Sequence, residues 1–138
     1  MTDRELVEKK LAHIETCLAE LRANLGPGDV TRDLKSRRFA EHTLQIAIQA
    51  AVDVASHICS DDRLGEPATN RALFDLLARA GWLPDAQVET LRRMVGFRNI
   101  LVHGYEAVDP AIVQELVDRR LGDLQAFVDA IRARWRAR

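Results

Sequence analysis

The length, composition and charge of this chain exclude several classes of protein. Its 138 residues fit one domain that can bury a hydrophobic core without metals or disulfides. With 47% apolar and 30% charged residues, the composition favours packed amphipathic helices over sheet or disorder. A formal net charge of -1 excludes attraction of nucleic acid by the molecule as a whole, so any nucleic-acid site has to be a local patch. We expect a single all-α domain over residues 1–138.

Cysteine usage and the N-terminal segment indicate where the protein works. Cys17 and Cys59 are isolated and lie on predicted apolar helix faces, so we expect two free, buried thiols and no thiolate metal site. Residues 2–5 are polar, and no apolar run reaches the length of a signal sequence or a bilayer span. These features predict a cytoplasmic protein with no membrane association.

The first predicted helix begins at Thr2-Asp3-Arg4-Glu5, which has the spacing of a capping box, and ends at Gly26-Pro27-Gly28. Between these signals an apolar residue recurs every three or four positions, so one face of the helix packs against the rest of the protein. This face consists of Val7, Leu11, Ile14, Leu18, Leu21 and Leu25.

Two more helices are predicted in the middle of the chain. The longest runs from near Thr31 to about Cys59, and its apolar positions start at Leu34. A polar, turn-rich stretch separates it from a shorter helix over residues 69–80. Gly81 follows that helix at the position of a left-handed cap.

The last two predicted helices have clear start signals. Asp85 can cap a helix that ends near His103-Gly104. Asp109-Pro110 then supplies a cap followed by proline in the first turn, where the missing N–H costs nothing. Together the elements predict an antiparallel four-helix bundle with one additional short helix.

Residues 98–105 depart from what a helical bundle requires. They read Arg98-Asn99-Ile100-Leu101-Val102-His103-Gly104-Tyr105, with polar residues on both sides of three apolar ones. On a helix Asn99 and His103 are four residues apart and share a face, and we expect Arg98 at the same rim. Tyr105 returns to that rim if the helix continues through Gly104.

Arg98 and His103 together are suited to cleave RNA without a metal. An imidazole titrates near neutral pH and can take a proton from a 2′-hydroxyl or give one to a leaving 5′-oxygen. A guanidinium can hold two phosphate oxygens while negative charge accumulates. We expect a 2′,3′-cyclic phosphate product and no action on DNA. Because one His per chain cannot easily be both acid and base, a symmetric homodimer that joins two such pairs is the favoured arrangement.

The spacing of Arg98 and His103 is not specific by itself. Arg37 and His42 repeat it inside the second helix. A surface arginine and a histidine at a helix end would explain the spacing equally well. Arg92 and Arg93 lie near the segment and could contact RNA phosphates, although a solvated basic face explains them as well.

The longer segment over residues 94–105, followed by Asp109, resembles the signature of the HepT branch of the HEPN superfamily. The resemblance extends to residues 44–50 with Asp53 and His57, to residues 72–81, and to the final amphipathic helix. It therefore covers nearly the whole chain. We read Asp53 and His57 themselves as a hydrogen-bonded polar pair, since two ligands alone do not make a metal site.

The resemblance implies an HEPN-like bundle that works as the ribonuclease toxin of a toxin–antitoxin pair. By this resemblance Arg98 and His103 are catalytic and Asn99 supports them, with no metal or other cofactor. The family's antitoxin is a minimal nucleotidyltransferase that transfers AMP from ATP to the tyrosine that matches Tyr105. An adenylate beside Arg98 would occupy the place of an RNA phosphate and base.

Three alternatives remain at this stage. The chain could be a non-catalytic HEPN module that binds a nucleotide or substrate for a partner nucleotidyltransferase, with Arg98 and His103 as phosphate ligands only. It could also be a helical dimerisation scaffold without a ligand, in which case replacing these two residues would change stability alone. Tyr105, finally, could simply stack on the end of the bundle.

Overall fold

A computed structural model describes residues 4–103 and 108–138, and within these ranges the chain is helical with no β-strand. The helices are α1 (Arg4–Asn24), α2 (Asp29–Arg32), α3 (Leu34–Asp61), α4 (Asn70–Arg79), α5 (Asp85–His103), α6 (Pro110–Glu115) and α7 (Leu121–Arg136). A π-helical turn over Leu116–Arg120 joins α6 to α7, so the last two helices are continuous.

The long helix α3 is the centre of the bundle. It packs against α1, α4, α5 and α7, and its buried face is rich in alanine, which lets its neighbours approach closely. Phe74 of α4 and Phe127 of α7 meet edge to face beneath it, with ring centroids 6.0 Å apart. The four-helix bundle with one additional short helix, α4, is confirmed.

The predicted start of the second long helix near Thr31 is wrong. Asp33 has extended backbone angles (φ -124°, ψ 122°) and its carboxylate accepts a hydrogen bond from the Ser36 N–H at 3.0 Å, so α3 begins only after it. The preceding turn, α2, is held by the Val30 N–H, which donates to Gln114 Oε1 at 2.8 Å. Leu34, the first apolar position of the predicted helix, is the first residue of α3 and is 56% exposed.

The start signal at Asp109 and the stop signal at Gly81 are confirmed, whereas Asp85, predicted to cap the helix, is instead the first residue of α5. Thr69 Oγ1 accepts from the Ala72 N–H at 3.3 Å and Asp109 Oδ1 from the Ala111 N–H at 2.9 Å. Gly81 has φ +84°, the left-handed conformation expected after α4. Thr2, the first residue of the predicted capping box, lies outside the described residues.

The C-terminal end of α7 is tied to the bundle by its arginines. Arg132 Nε donates to Glu8 at 2.9 Å, and its Nη2 lies 2.8 Å from Glu15. Trp82 and Trp135, both buried, pack edge to face at 5.6 Å. The contacts of Arg132 hold α7 on α1.

Cys17 and Cys59 are free and buried, as predicted. Burial raises the pKa of the Cys59 thiol to about 11, which keeps it protonated and unreactive. Across the described ranges, the helices are too polar or too short to cross a bilayer.

The ion pair of Glu15 predicts a pH-dependent contribution to stability. The Arg132 guanidinium and the Gln125 amide both donate to this carboxylate and hold its pKa below the usual 4.5. Because the pKa is lower in the folded state, the ionised carboxylate stabilises the folded protein at pH values above the usual pKa of 4.5. This contribution is lost as pH falls through the lowered pKa. Glu15→Gln should therefore lower the free energy of unfolding at neutral pH, by less than about 1 kcal/mol for so exposed a pair.

Urea denaturation at neutral and at acid pH measures this difference. We expect the gap between wild type and Glu15→Gln to close in acid. Glu20→Gln, on the same helix but outside the ion pair with Arg132, is the matched control and should leave stability almost unchanged at both pH values. An equal gap at neutral and acid pH would contradict the assignment.

Candidate functional site

The helix α5 carries the residues singled out by the sequence, and its pitch divides them between two sides. Residues along an α-helix are offset by about 100°, so Asn99 and His103 lie on one face while Arg98 and His103 are about 140° apart. Within one protomer, Arg98 lines a cleft beside α1 and α3, and His103 lines a separate shallow depression beside α4 and α6. The expected common rim is correct for Asn99 and His103 but wrong for Arg98.

The cleft of Arg98 has a volume of about 310 Å³. Helix α1 contributes Lys10 and His13, and α3 contributes Gln49 and Asp53. Asp53 is the single carboxylate among the described residues that line it. Its oxygens accept hydrogen bonds from Gln49 at 2.8 Å and from Lys10 at 3.3 Å.

Asp53 is therefore already engaged, and this leaves the charge of Arg98 without a carboxylate partner among the residues that the structure describes. Arg98 Nη1 donates to Asn99 Oδ1 at 3.3 Å, while its buried Nε has no partner among the described residues. No described carboxylate forms an ion pair with it. The predicted hydrogen bond between Asp53 and His57 is also replaced by the contacts of Asp53 with Lys10 and Gln49.

The depression of His103 is more open than the cleft of Arg98. His103 is exposed, and Asn99 lies one turn before it on the same face. Ile100 and Ile112 form apolar walls, and their side chains are 44% and 50% exposed. Large apolar side chains exposed beside a polar pair are typical of a surface that another macromolecule covers.

The second Arg–His pair has a different role. Arg37 Nε and Nη2 donate to the backbone carbonyls of Val30 and Thr31, each at 3.1 Å. Its guanidinium thus fixes α2 against α3 and is not free for a ligand. His42 is exposed on α3 and lines a third cleft, separate from the cleft of Arg98 and from the depression of His103.

The basic residues near the site also differ from expectation. Arg92 pairs with Asp75 at 2.8 Å and Arg93 with Glu89 at 3.1 Å, so both charges are balanced. Arg71 of α4 instead lines the depression of His103, and sequence reasoning missed it. Its only signal in the sequence is indirect: Gly96, a glycine inside a helix, marks the place where its guanidinium crosses α5.

Tyr105 and Gly104, which the sequence also singled out, lie outside the described residues. Within the described residues, no group of three or more His, Cys, Asp or Glu side chains could hold a metal ion.

One protein family and two named proteins are similar to this chain in sequence. The ribonuclease HepT-like family matches residues 11–131. A protein from Shewanella oneidensis named mRNA nuclease HepT is 32% identical over 94% of this chain and 98% of its own length. Another, from Aphanizomenon flos-aquae and named tRNA nuclease HepT, is 30% identical over 79% of this chain and 71% of its own.

A solved structure extends the likeness to three dimensions. The tri-AMPylated HEPN toxin of Shewanella oneidensis, in complex with its MNT antitoxin, superposes with a TM-score of 0.87 at 32% identity. The alignment covers 96% of this chain and 99% of the toxin. On sequence and fold alike, this chain belongs to the ribonuclease HepT-like family.

Proposed function

We propose that the protein is a metal-independent endoribonuclease, the toxin of a toxin–antitoxin pair, in which Arg98 and His103 act on RNA. The observation that carries this proposal is the unpaired guanidinium of Arg98, on the same helix as an exposed imidazole and hydrogen-bonded to Asn99. A half-buried arginine without a carboxylate partner among the described residues is suited to bind an external anion such as a phosphate.

Each side chain has a distinct task in this reaction. His103 takes the proton from the ribose 2′-oxygen, which attacks the adjacent phosphorus and expels the 5′-oxygen. Arg98 holds the phosphate oxygens as charge builds up on them. Asn99 keeps Arg98 in place through the contact of 3.3 Å. The products are a 2′,3′-cyclic phosphate and a free 5′-hydroxyl.

A homodimer completes the site. Since Arg98 and His103 of one protomer lie on different sides of α5, a symmetric dimer in which the α5 helices of two chains pack side by side, and which covers the exposed Ile100 and Ile112, would bring His103 of one chain toward Arg98 of the partner subunit. Burying these two isoleucines would stabilise the dimer. The second His103 would then serve as the acid when the first serves as the base.

Tyr105 is the proposed control point. It is the only tyrosine of the chain and lies two residues after His103. A cognate nucleotidyltransferase antitoxin would transfer AMP from ATP to its hydroxyl, and the added phosphate would compete with RNA for Arg98. The tri-AMPylated toxin among the related structures supports this mode of control. We place the reaction in the cytoplasm, with AMP as a covalent modification and no other cofactor.

Removal of His103 should abolish RNA cleavage. We expect wild type to cut a labelled RNA in EDTA and leave a cyclic phosphate, and His103→Ala to be slower by about 10²- to 10⁴-fold. His42→Ala is the matched control, because His42 also follows an arginine by five residues, and it should cleave normally. A DNA of the same sequence should remain intact.

The binding-module alternative makes the opposite prediction for this assay. Wild type and His103→Ala would be equally inactive, even after phosphodiesterase treatment to remove any AMP, while both still bound RNA or nucleotide. That outcome would overturn the nuclease proposal.

Tyr105→Phe should separate control from catalysis. The variant lacks the hydroxyl that accepts AMP, so we expect no mass increase on incubation with ATP and the antitoxin, and RNA cleavage that the antitoxin's transfer reaction no longer silences. Intact-mass spectrometry and the cleavage assay read these two effects. AMP incorporation that persists in Tyr105→Phe would assign the modification to another residue.

A further inference from the structure

Arg71, the second residue of α4, has a guanidinium with an unusual position. It lies across the middle of α5 at Gly96, where an added Cβ would be 3.2 Å from Arg71 Nη2 and 3.5 Å from Cζ. A glycine inside a helix lowers helix stability relative to alanine, so its presence needs a local reason. Here the absence of a side chain leaves the space that the guanidinium occupies.

No neighbour within the described part of the chain balances the charge of Arg71. Its guanidinium forms no ion pair or hydrogen bond with any residue of the described ranges, in contrast to Arg92 and Arg93 on α5. Arg71 is also exposed. It is therefore free to bind an anion from solution.

The position of Arg71 relative to His103 identifies that anion. Gly96, Asn99 and His103 follow one another along the same face of α5, and all three line the same depression as Arg71. Seven residues of helix separate Gly96 from His103, a rise of about 10 Å. This spacing along α5 suits two successive phosphates of one RNA strand, one near Arg71 and one near His103.

We propose that Arg71 is a substrate-binding residue that holds an RNA phosphate flanking the one at which His103 acts. This inference rests on the proposed ribonuclease function. Arg71 contacts the backbone and not the bases, so it raises affinity for every RNA sequence alike. Gly96 has a supporting role, because it allows the guanidinium to lie against α5.

RNA binding to the His103→Ala chain tests the proposal, since this background leaves the RNA uncut. Arg71→Ala should weaken binding of a labelled single-stranded RNA by about tenfold, the effect of losing one charged hydrogen bond. The slope of log affinity against log salt should become shallower by about 0.7, the value for one phosphate contact on a single strand. Arg71→Lys, which keeps the charge, should bind with intermediate affinity.

Gly96→Ala gives a second, independent test. Its Cβ would displace the flexible guanidinium, so RNA affinity should fall while Tm is unchanged or higher. Gly122→Ala is the matched control, because a Cβ at Gly122 meets no atom within 4 Å. Arg79→Ala, at the other end of α4, controls for the loss of an arginine. Both controls should bind RNA like the parent chain.

In the active background, Arg71→Ala should raise KM while kcat stays within about twofold, as expected for a contact that is equal in ground and transition states. Unchanged affinity and salt slope in Arg71→Ala would overturn the proposal. So would dissociation of the dimer in sedimentation, which would make Arg71 an interface residue. If either of these results is found while wild type cleaves RNA normally, the role of Arg71 is rejected and the ribonuclease function stands. If wild type itself does not cleave RNA, the ribonuclease function is rejected.

Discussion

Arg98 and His103 are five positions apart on α5, and the pitch of an α-helix places their side chains about 140° apart around its axis. This constraint governs the whole site. In one protomer Arg98 lines the cleft beside α1 and α3 and His103 lines the depression beside α4 and α6, so the two side chains start from different sides of α5. A symmetric dimer resolves the difficulty because it offers each histidine the arginine of the partner subunit.

The bundle also determines which arginine is available. Asp53 would neutralise Arg98 if its carboxylate were free, yet Lys10 and Gln49 already bind it. The same principle applies across the surface: Arg37 is occupied by backbone carbonyls and Arg132 by carboxylates. Selectivity for an RNA phosphate thus depends less on total charge, which is close to zero, than on which guanidinium groups lack an internal partner.

Local signals in the sequence predicted most of the fold. Thr69, Gly81 and Asp109 each act through their own backbone neighbourhood, which a single sequence displays directly. The predicted start of α3 near Thr31 is wrong because Asp33 is extended and caps the helix that begins at Leu34, a backbone conformation that apolar spacing does not reveal.

For the site, the sequence identified α5 and the shared face of Asn99 and His103. The expected common rim for Arg98 overlooked the helical pitch, which sets Arg98 about 140° from His103; only the walls of the two clefts, which other helices supply, lay beyond the sequence. Arg71 was missed for a related reason. Its role depends on the packing of α4 across Gly96, a contact between residues 25 positions apart in the chain.

Activity of a mixed dimer tests the central claim most directly. One chain would carry Arg98→Ala and the other His103→Ala, with two different affinity tags to isolate the heterodimer. Both parent homodimers should be inactive, whereas the mixed dimer retains one intact arginine and one intact histidine on opposite chains. Our account predicts RNA cleavage well above both parents but below half the wild-type rate, since one arginine–histidine contact between the chains is intact while the second His103, the acid, is missing. A mixed dimer as inactive as its parents, beside an active wild type, would show that each protomer builds its own site.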